Sequence, residues 1–203
     1  MLHIIGLAHR AQARKPEAEM TDAQRAFACR LRRAIEEVRP VFIAEEDSEE
    51  ALAERQEISI AKEIADEKGI EHRFCDPTRE QRRTIGYRDG LFLEMQIFMH
   101  DHVGLSNEEI RNKAHAIEIG RYFPIRERFW LERVNVCRDR DAIFICGDGH
   151  IKSDSFRSLL ENSHIAFKVM HRGIGLTQGD EWFDRALHYL REHPEVLNDD
   201  AIV

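Results

Sequence analysis

Two Gly-x-x-His segments, Gly6–His9 and Gly147–His150, are the parts of this chain whose residue types and spacing best suit chemistry. Each lies at the end of a short apolar run. Glycine permits backbone angles closed to other residues and lets a ligand approach the main chain. A histidine that follows in the loop can bind a metal or act as a base through neutral imidazole. The repeat predicts one site containing both histidines; the alternative is ordinary turns with histidines as exposed caps.

Two adjacent carboxylates, Glu45 and Glu46, follow the apolar run Val41–Ala44. Because neighbouring strand residues point to opposite faces, both carboxylates face one pocket only if the strand has ended by Glu45. Otherwise one acts in the site and the other caps or orients. A carboxylate near a histidine-bound metal would be a ligand or a general base for water. The alternative is an acidic first helical turn favoured by the helix dipole, which is the interpretation preferred for Glu49 and Glu50.

Short apolar runs alternate with helical patterns along the chain. Continuous apolar runs suit strands covered on both faces, as in a parallel sheet. The sequence therefore predicts an α/β fold, a three-layer sandwich with a mainly parallel sheet of about five or more strands, helices on both faces and a helical insert at about 78–140. A single domain, 1–203, is expected. The candidate strands are Leu2–Leu7, Val41–Ala44, His72–Cys75, Ala142–Cys146 and Ile165–Met170, and the candidate helices run from Thr21 or Asp22 to Val38, from Ser48 to Gly69, from Pro124 through Val134, over Asp154–Asn162 and over Gly179–Glu192.

The edge of the predicted sheet gives these polar residues a common location. Ligands of open parallel sheets bind beyond the carboxyl ends of the strands. Every candidate strand is followed there by a residue that can bind a metal or move a proton, including Asp76 after the third strand and His171 after the fifth. The site is therefore expected at this edge.

The composition narrows the classes of partner. Acidic residues exceed basic ones by 38 to 30, so nonspecific attraction to nucleic acid or to an anionic membrane is not expected. The arginines between Arg121 and Arg140 are interleaved with acidic residues, as is typical of a solvated helix face. No apolar run approaches the ~20 residues of a membrane span, and no signal peptide pattern is present. A cytoplasmic protein is expected, with its four cysteines in the core.

The order of these motifs resembles that of the TraB/Tiki-like superfamily, which includes erythromycin-esterase-like and ChaN-like proteins. The resemblance implies an α/β sheet with helices on both faces, in a group that includes metal-dependent peptidases and hydrolases. Two positions depart from the pattern, since Phe129 replaces a small polar residue and Asp148 adds a carboxylate. The matching motifs are Gly6–His9, Glu45–Glu46, Glu127–Arg128 and Gly147–His150.

The resemblance also implies roles for individual residues. His9, Glu45 and His150 would bind a divalent metal ion, either manganese, cobalt or zinc. Either Glu45 or Glu46 would bind the metal or activate water, and His150 would be catalytic. Arg128 would orient the carboxylate or stabilise developing oxyanion charge.

The leading functional hypothesis is a metal-dependent hydrolase of an amide or ester bond in a peptide or small molecule. One alternative is a haem- or metal-binding protein without turnover, with His9 or His171 as an axial ligand. Another is an interaction or regulatory protein that uses the same fold with a degenerate site. Trp130 and Trp182 could then anchor a partner, although a core position is the preferred interpretation for both. The sequence leaves the substrate, the metal and the oligomeric state open.

Overall fold

The computed structural model describes residues 1–100, 104–134, 140–177 and 181–198. The chain divides into two compact units. The first combines Met1–Thr78 with Glu127–Thr177, and the second combines Arg79–Arg126 with Gln178–Val203. The single domain expected from the sequence stays a prediction.

The first unit is built around a five-stranded sheet. The strands of the described residues are β1 (Leu2–Leu7), β2 (Ala13–Arg14), β3 (Phe42–Glu45), β4 (Ile58–Ser59), β5 (Glu71–Phe74), β6 (Ala142–Gly147) and β7 (Phe167–Ile174). The sheet has the order β5-β3-β6-β1-β7, and every neighbouring pair in it is parallel. The short strands β2 and β4 form a separate antiparallel pair. All five strands expected from the apolar runs are present in the sheet.

Helices cover both faces of this sheet, as predicted. The helices of the first unit include α1 (Asp22–Val38), α2 (Glu49–Arg55) and α3 (Ile60–Lys68). Alternate side chains of β1 point to opposite faces of the sheet. Ile5 packs in a core with α1 and α3, whereas Ile4 packs in the core on the opposite face. That opposite core contains Trp130 and Phe156 from two further helices. The three-layer α/β architecture is confirmed.

All secondary-structure elements in the described residues of the second unit are helices. Residues 79–126 supply α4 (Arg79–Ile85), α5 (Gly90–His100), α6 (Asn107–Ile117), a π-helical turn (Glu118–Tyr122) and the start of α7 (Phe123–Val134). After α8 (Asp148–Lys152) and α9 (Ser155–Asn162) of the first unit, residues 182–198 add α10 (Trp182–Glu192) and a 3-10 turn (Pro194–Asn198). The predicted insert without strands is thus confirmed over the described residues. In the described part of the chain as a whole, no helix is long and apolar enough to cross a membrane.

Two sequence-based boundaries were wrong. The helix expected from Ser48 to Gly69 is two helices, because Gln56 takes a left-handed conformation and Ser59 caps a new helix at the amide of Lys62. The fifth strand continues to Ile174, so His171 lies inside it and not after it.

The burial of the cysteines and the start of the last helix were also predicted from the sequence. Cys75 and Cys146 are buried as expected, whereas Cys29 is exposed. Cys137 and the predicted helix start at Gly179 lie outside the described residues.

Candidate functional site

The carboxyl ends of three neighbouring strands bring together His9, Glu46 and His150. β6 lies between β3 and β1, and each of these three residues follows one of the three strands. The Glu46 atom Oε1 is 3.5 Å from Nε2 of His9 and 3.4 Å from Nε2 of His150. The other carboxylate oxygen accepts a hydrogen bond of 2.6 Å from the Gly147 amide. One carboxylate is thus shared by the two histidines that the sequence singled out.

His150 is held from its other side by Glu127 of α7. The distance between Nδ1 of His150 and Oε1 of Glu127 is 2.7 Å, and the Trp130 ring packs edge-on against the imidazole at 4.5 Å. Burial disfavours the charged imidazole, but the nearby carboxylates of Glu46 and Glu127 outweigh it and raise the pKa of His150 to about 9. His150 is therefore a buried imidazolium at neutral pH, between two carboxylates.

Exposure distinguishes the members of this array. The side chains of Glu46 and Glu127 are fully buried and that of His150 nearly so, whereas the side chain of His9 is 60% exposed. His9 opens a 3-10 turn, His9–Ala11, directly after β1. It is the member of the array that solvent and a ligand can reach.

The two glycines of the repeated motif have reciprocal steric roles. A Cβ atom on Gly147 would lie 2.9 Å from Nε2 of His9. A Cβ atom on Gly6 would lie 2.8 Å from Oδ1 of Asp148 and 2.5 Å from Cδ1 of Ile151. Each glycine therefore makes room for the other turn, which explains why both segments carry one.

Glu45 belongs to a different polar cluster. The amide of Glu46 still bonds the Ile145 carbonyl of β6, so extended geometry persists and the two side chains diverge. Oε2 of Glu45 accepts a hydrogen bond of 2.7 Å from Gln12. Its Oε1 accepts one from Ser59 and lies 2.8 Å from Nε2 of His72. The two carboxylates therefore do not face one pocket. The second alternative for the pair, in which one acts in the site and the other caps or orients, stays a prediction.

The remaining predicted site residue, Arg128, is exposed on α7. Among the residues that the structure describes, it makes no hydrogen bond or ion pair with His9, Glu46 or His150. The roles expected from the resemblance, orienting the carboxylate or stabilising oxyanion charge, stay predictions for Arg128. The adjacent residue of the same motif, Glu127, is the one that enters the site.

The Glu127–Arg128 motif suggested a role for Arg128 alone, although a periodicity signal indicates one for Glu127. The alternating charges of this stretch favour a solvated helix face. However, Phe123, Glu127, Trp130 and Val134 recur at helical spacing, and all four are buried. A glutamate on the apolar stripe of a helix must have a partner inside the protein. The Glu45 partners Gln12, Ser59 and His72 carried no comparable signal.

Two acidic neighbours shape the edge of the site. Asp148 accepts a hydrogen bond of 3.0 Å from the Gly173 amide and lies 3.3 Å from Nε of Arg172, which ties the start of α8 to β7. Burial raises the pKa of Asp47 to about 6, although the Ser48 amide and Arg55 favour its ionised form.

The metal prediction does not gain support from this geometry. Over the described ranges, no group of three or more histidine, cysteine, aspartate or glutamate side chains is arranged to hold a metal ion. Glu45, an expected ligand together with His9 and His150, contacts Gln12, Ser59 and His72 instead. A divalent metal at His9, Glu45 and His150 therefore stays a prediction.

No family model matches the chain, and neither a curated protein nor a solved structure matches it. The resemblance to TraB/Tiki-like proteins accordingly stays a prediction.

Proposed function

We propose that this chain is a hydrolase of an amide or ester bond in a peptide or small molecule, acting in the cytoplasm. One observation carries the proposal: the exposed His9 imidazole lies 3.5 Å from the buried Glu46 carboxylate, which in turn lies 3.4 Å from the buried His150. An accessible imidazole backed by an oriented carboxylate is an arrangement suited to general acid–base catalysis.

His9 is the proposed base because it is the exposed member of the array. Its imidazole takes a proton from a water molecule as the water oxygen attacks the carbonyl carbon of the substrate. The same proton then passes to the departing alkoxide or amine as the carbonyl–heteroatom bond breaks. Glu46 lies behind His9 and stabilises the positive charge that develops on the imidazole during the first step.

His150 and Glu127 serve as positioning residues in this proposal. Two buried carboxylates near one another would favour protonation of one of them. The His150 imidazolium lies between Glu46 and Glu127 and offsets their charge. The Gly147 amide fixes the other oxygen of Glu46. The array thereby holds the Glu46 carboxylate at a defined place behind His9.

The test is hydrolysis of a panel of chromogenic esters and anilides by the purified chain. Wild type is expected to turn over at least one class, and His9→Ala to lose about 10² to 10⁴-fold in kcat/KM. His188→Ala is the matched control, because His188 is an exposed histidine whose ion pair with Glu192 lies in α10. A wild type without turnover, or equal rates for the two variants, would overturn the proposal.

A second arm addresses the predicted metal. Metal content is measured on the purified chain, and activity is measured after chelation and after addition of manganese, cobalt or zinc. Stimulation by a metal that disappears in both His9→Ala and His150→Ala would assign water activation to the ion in place of His9. Turnover that is unchanged by chelation would leave proton transfer with His9.

A further inference from the structure

Helix α5 of the second unit exposes an unusually apolar surface. Of the eight large apolar side chains that are exposed in the described residues, five belong to this helix. Leu91 is 77% exposed and Met99 is 62% exposed. Scattered exposed apolar residues need no explanation, but a contiguous patch marks an interaction site. The five residues, here called the α5 face, are Leu91, Phe92, Met95, Phe98 and Met99.

The opposite side of α5 already has its partners. Leu93 and Ile97 are buried in the core of the second unit. Glu94 lies 3.7 Å from His115 and 3.9 Å from Arg111, both on α6. The acidic residue of the helix is therefore turned toward α6, and the α5 face carries no carboxylate.

A basic cavity adjoins the α5 face through Phe92. Its volume is about 500 Å³. The Arg88 guanidinium lies 5.1 Å from the centre of the Phe92 ring, so the basic and apolar surfaces share a boundary. Asp89 is the acidic residue of the lining, and it lies 3.4 Å from Arg82. Four arginines line the cavity, namely Arg79, Arg82, Arg83 and Arg88.

We propose that the α5 face and this arginine cavity dock on an anionic lipid surface. The apolar side chains would enter the boundary between headgroups and acyl chains, while the arginines contact lipid phosphates or carboxylates. The net charge of −8 predicts no attraction to such a membrane, but the lining of this cavity contains four arginines and one aspartate. Charge complementarity thus selects an anionic lipid as the occupant.

A second copy of the chain fits this surface less well. In a two-fold dimer the same patch faces itself, so the arginines of one copy would approach those of the other. Arginine cannot lose its proton to relieve the repulsion. An anionic lipid surface instead offers apolar and negative groups together.

The experiment is co-sedimentation of the full chain with vesicles of phosphatidylcholine alone or mixed with phosphatidylserine. Binding to the mixed vesicles is expected to be strong at low salt and to weaken as salt rises. Arg79→Gln/Arg83→Gln should lower the affinity about fivefold for each arginine removed. Leu91→Ser/Phe98→Ser should abolish binding. Circular dichroism of each variant checks that the fold is retained.

Matched controls change the same residue types elsewhere. Arg30→Gln/Arg33→Gln alters the net charge equally on α1, and Val41→Ser/Leu176→Ser removes two exposed apolar side chains from the first unit. Neither control should change binding. The proposal is overturned by equal binding to both vesicle types, by no binding to either, or by a dimer in solution that only Leu91→Ser/Phe98→Ser dissociates.

Discussion

Glu45 and Glu46 are adjacent and equally buried, yet they lie in two different environments. Glu45 is enclosed by Gln12, Ser59 and His72, which are themselves buried or nearly so. Glu46 lies between buried His150 and exposed His9. The comparison teaches that burial of a carboxylate does not by itself indicate function. What distinguishes Glu46 is a chain of contacts that ends at solvent.

The alternation of the strand produces this difference. One extra residue of extended backbone turns the second carboxylate to the other face of the sheet. The Glu45 cluster ties β3 to β4 and β5, whereas Glu46 reaches the turns after β1 and β6. We therefore expect changes at Glu45 to affect stability and changes at Glu46 to affect catalysis.

The largest expected effect separates the two residues by activity. Glu46→Gln should lower kcat/KM by about 10² to 10⁴-fold, because His9 loses the carboxylate that stabilises its charged form. Glu45→Gln should leave kcat/KM per folded molecule within about threefold, since Glu45 contacts neither His9 nor His150. Steady-state kinetics on an ester or anilide that wild type turns over measures both values. Equal losses in the two variants would contradict the division of roles.

The next-largest expected effect is a pH dependence of the free energy of unfolding, which arises from His150 next to Glu46. The pKa of His150 is raised from 6.5 to about 9 in the folded chain. A raised pKa means that the folded state binds the proton more tightly, so this stabilisation is complete below about pH 6.5 and lost as pH rises through about 9. Urea unfolding between about pH 7 and pH 10 should show a decrease on the order of 3 kcal/mol.

Substitution of the histidine checks the origin of that decrease. His150→Gln should be less stable than wild type at neutral pH and should show a smaller decrease above it. Asp47 does not contribute in this range, because its pKa of about 6 confines its titration to lower pH. An unchanged slope in His150→Gln would assign the pH dependence to another group.

A smaller effect is expected on the stability of the protein when Glu45 is substituted. Glu45→Gln replaces an acceptor of two hydrogen bonds, from Gln12 and Ser59, by an amide with only one acceptor atom. The free energy of unfolding should fall by about 1–3 kcal/mol. Chemical denaturation at neutral pH measures this value. A variant as stable as wild type would show that the cluster contributes nothing to the fold.

The smallest effects are expected from substitution of the two glycines of the repeated motif, Gly147 and Gly6. In Gly147→Ala the new Cβ would meet His9, which is exposed and can move, so kcat/KM should fall about tenfold with little loss of stability. In Gly6→Ala the new Cβ would meet the partly buried Ile151 and the buried Asp148, so about 1–3 kcal/mol of stability should be lost. Kinetics and denaturation of both variants test the contrast, which fails if Gly147→Ala is the less stable of the two.

The sequence predicted the sheet well because its strands are continuous apolar runs, such as Leu2–Leu7, whose predicted and observed bounds coincide. It also predicted that His9 and His150 meet, since parallel strands end at one edge. It could not choose between Glu45 and Glu46, because the choice depends on whether extended geometry continues past the strand. Nor could it place Arg128, whose orientation depends on the rotation of α7.

The hydrogen bond from Gly147 to Glu46 also has a consequence for the order of folding. It joins residues separated by 101 positions, and β1 pairs with a strand that begins at Phe167. Contacts of such long range form slowly, because the entropy of closing a long loop must be overcome first. During synthesis, a nascent chain that ends before Gly147 lacks this hydrogen bond and cannot close the array. Catalytic competence should therefore appear only after the sheet is complete, so that activity can serve as a late marker in refolding experiments.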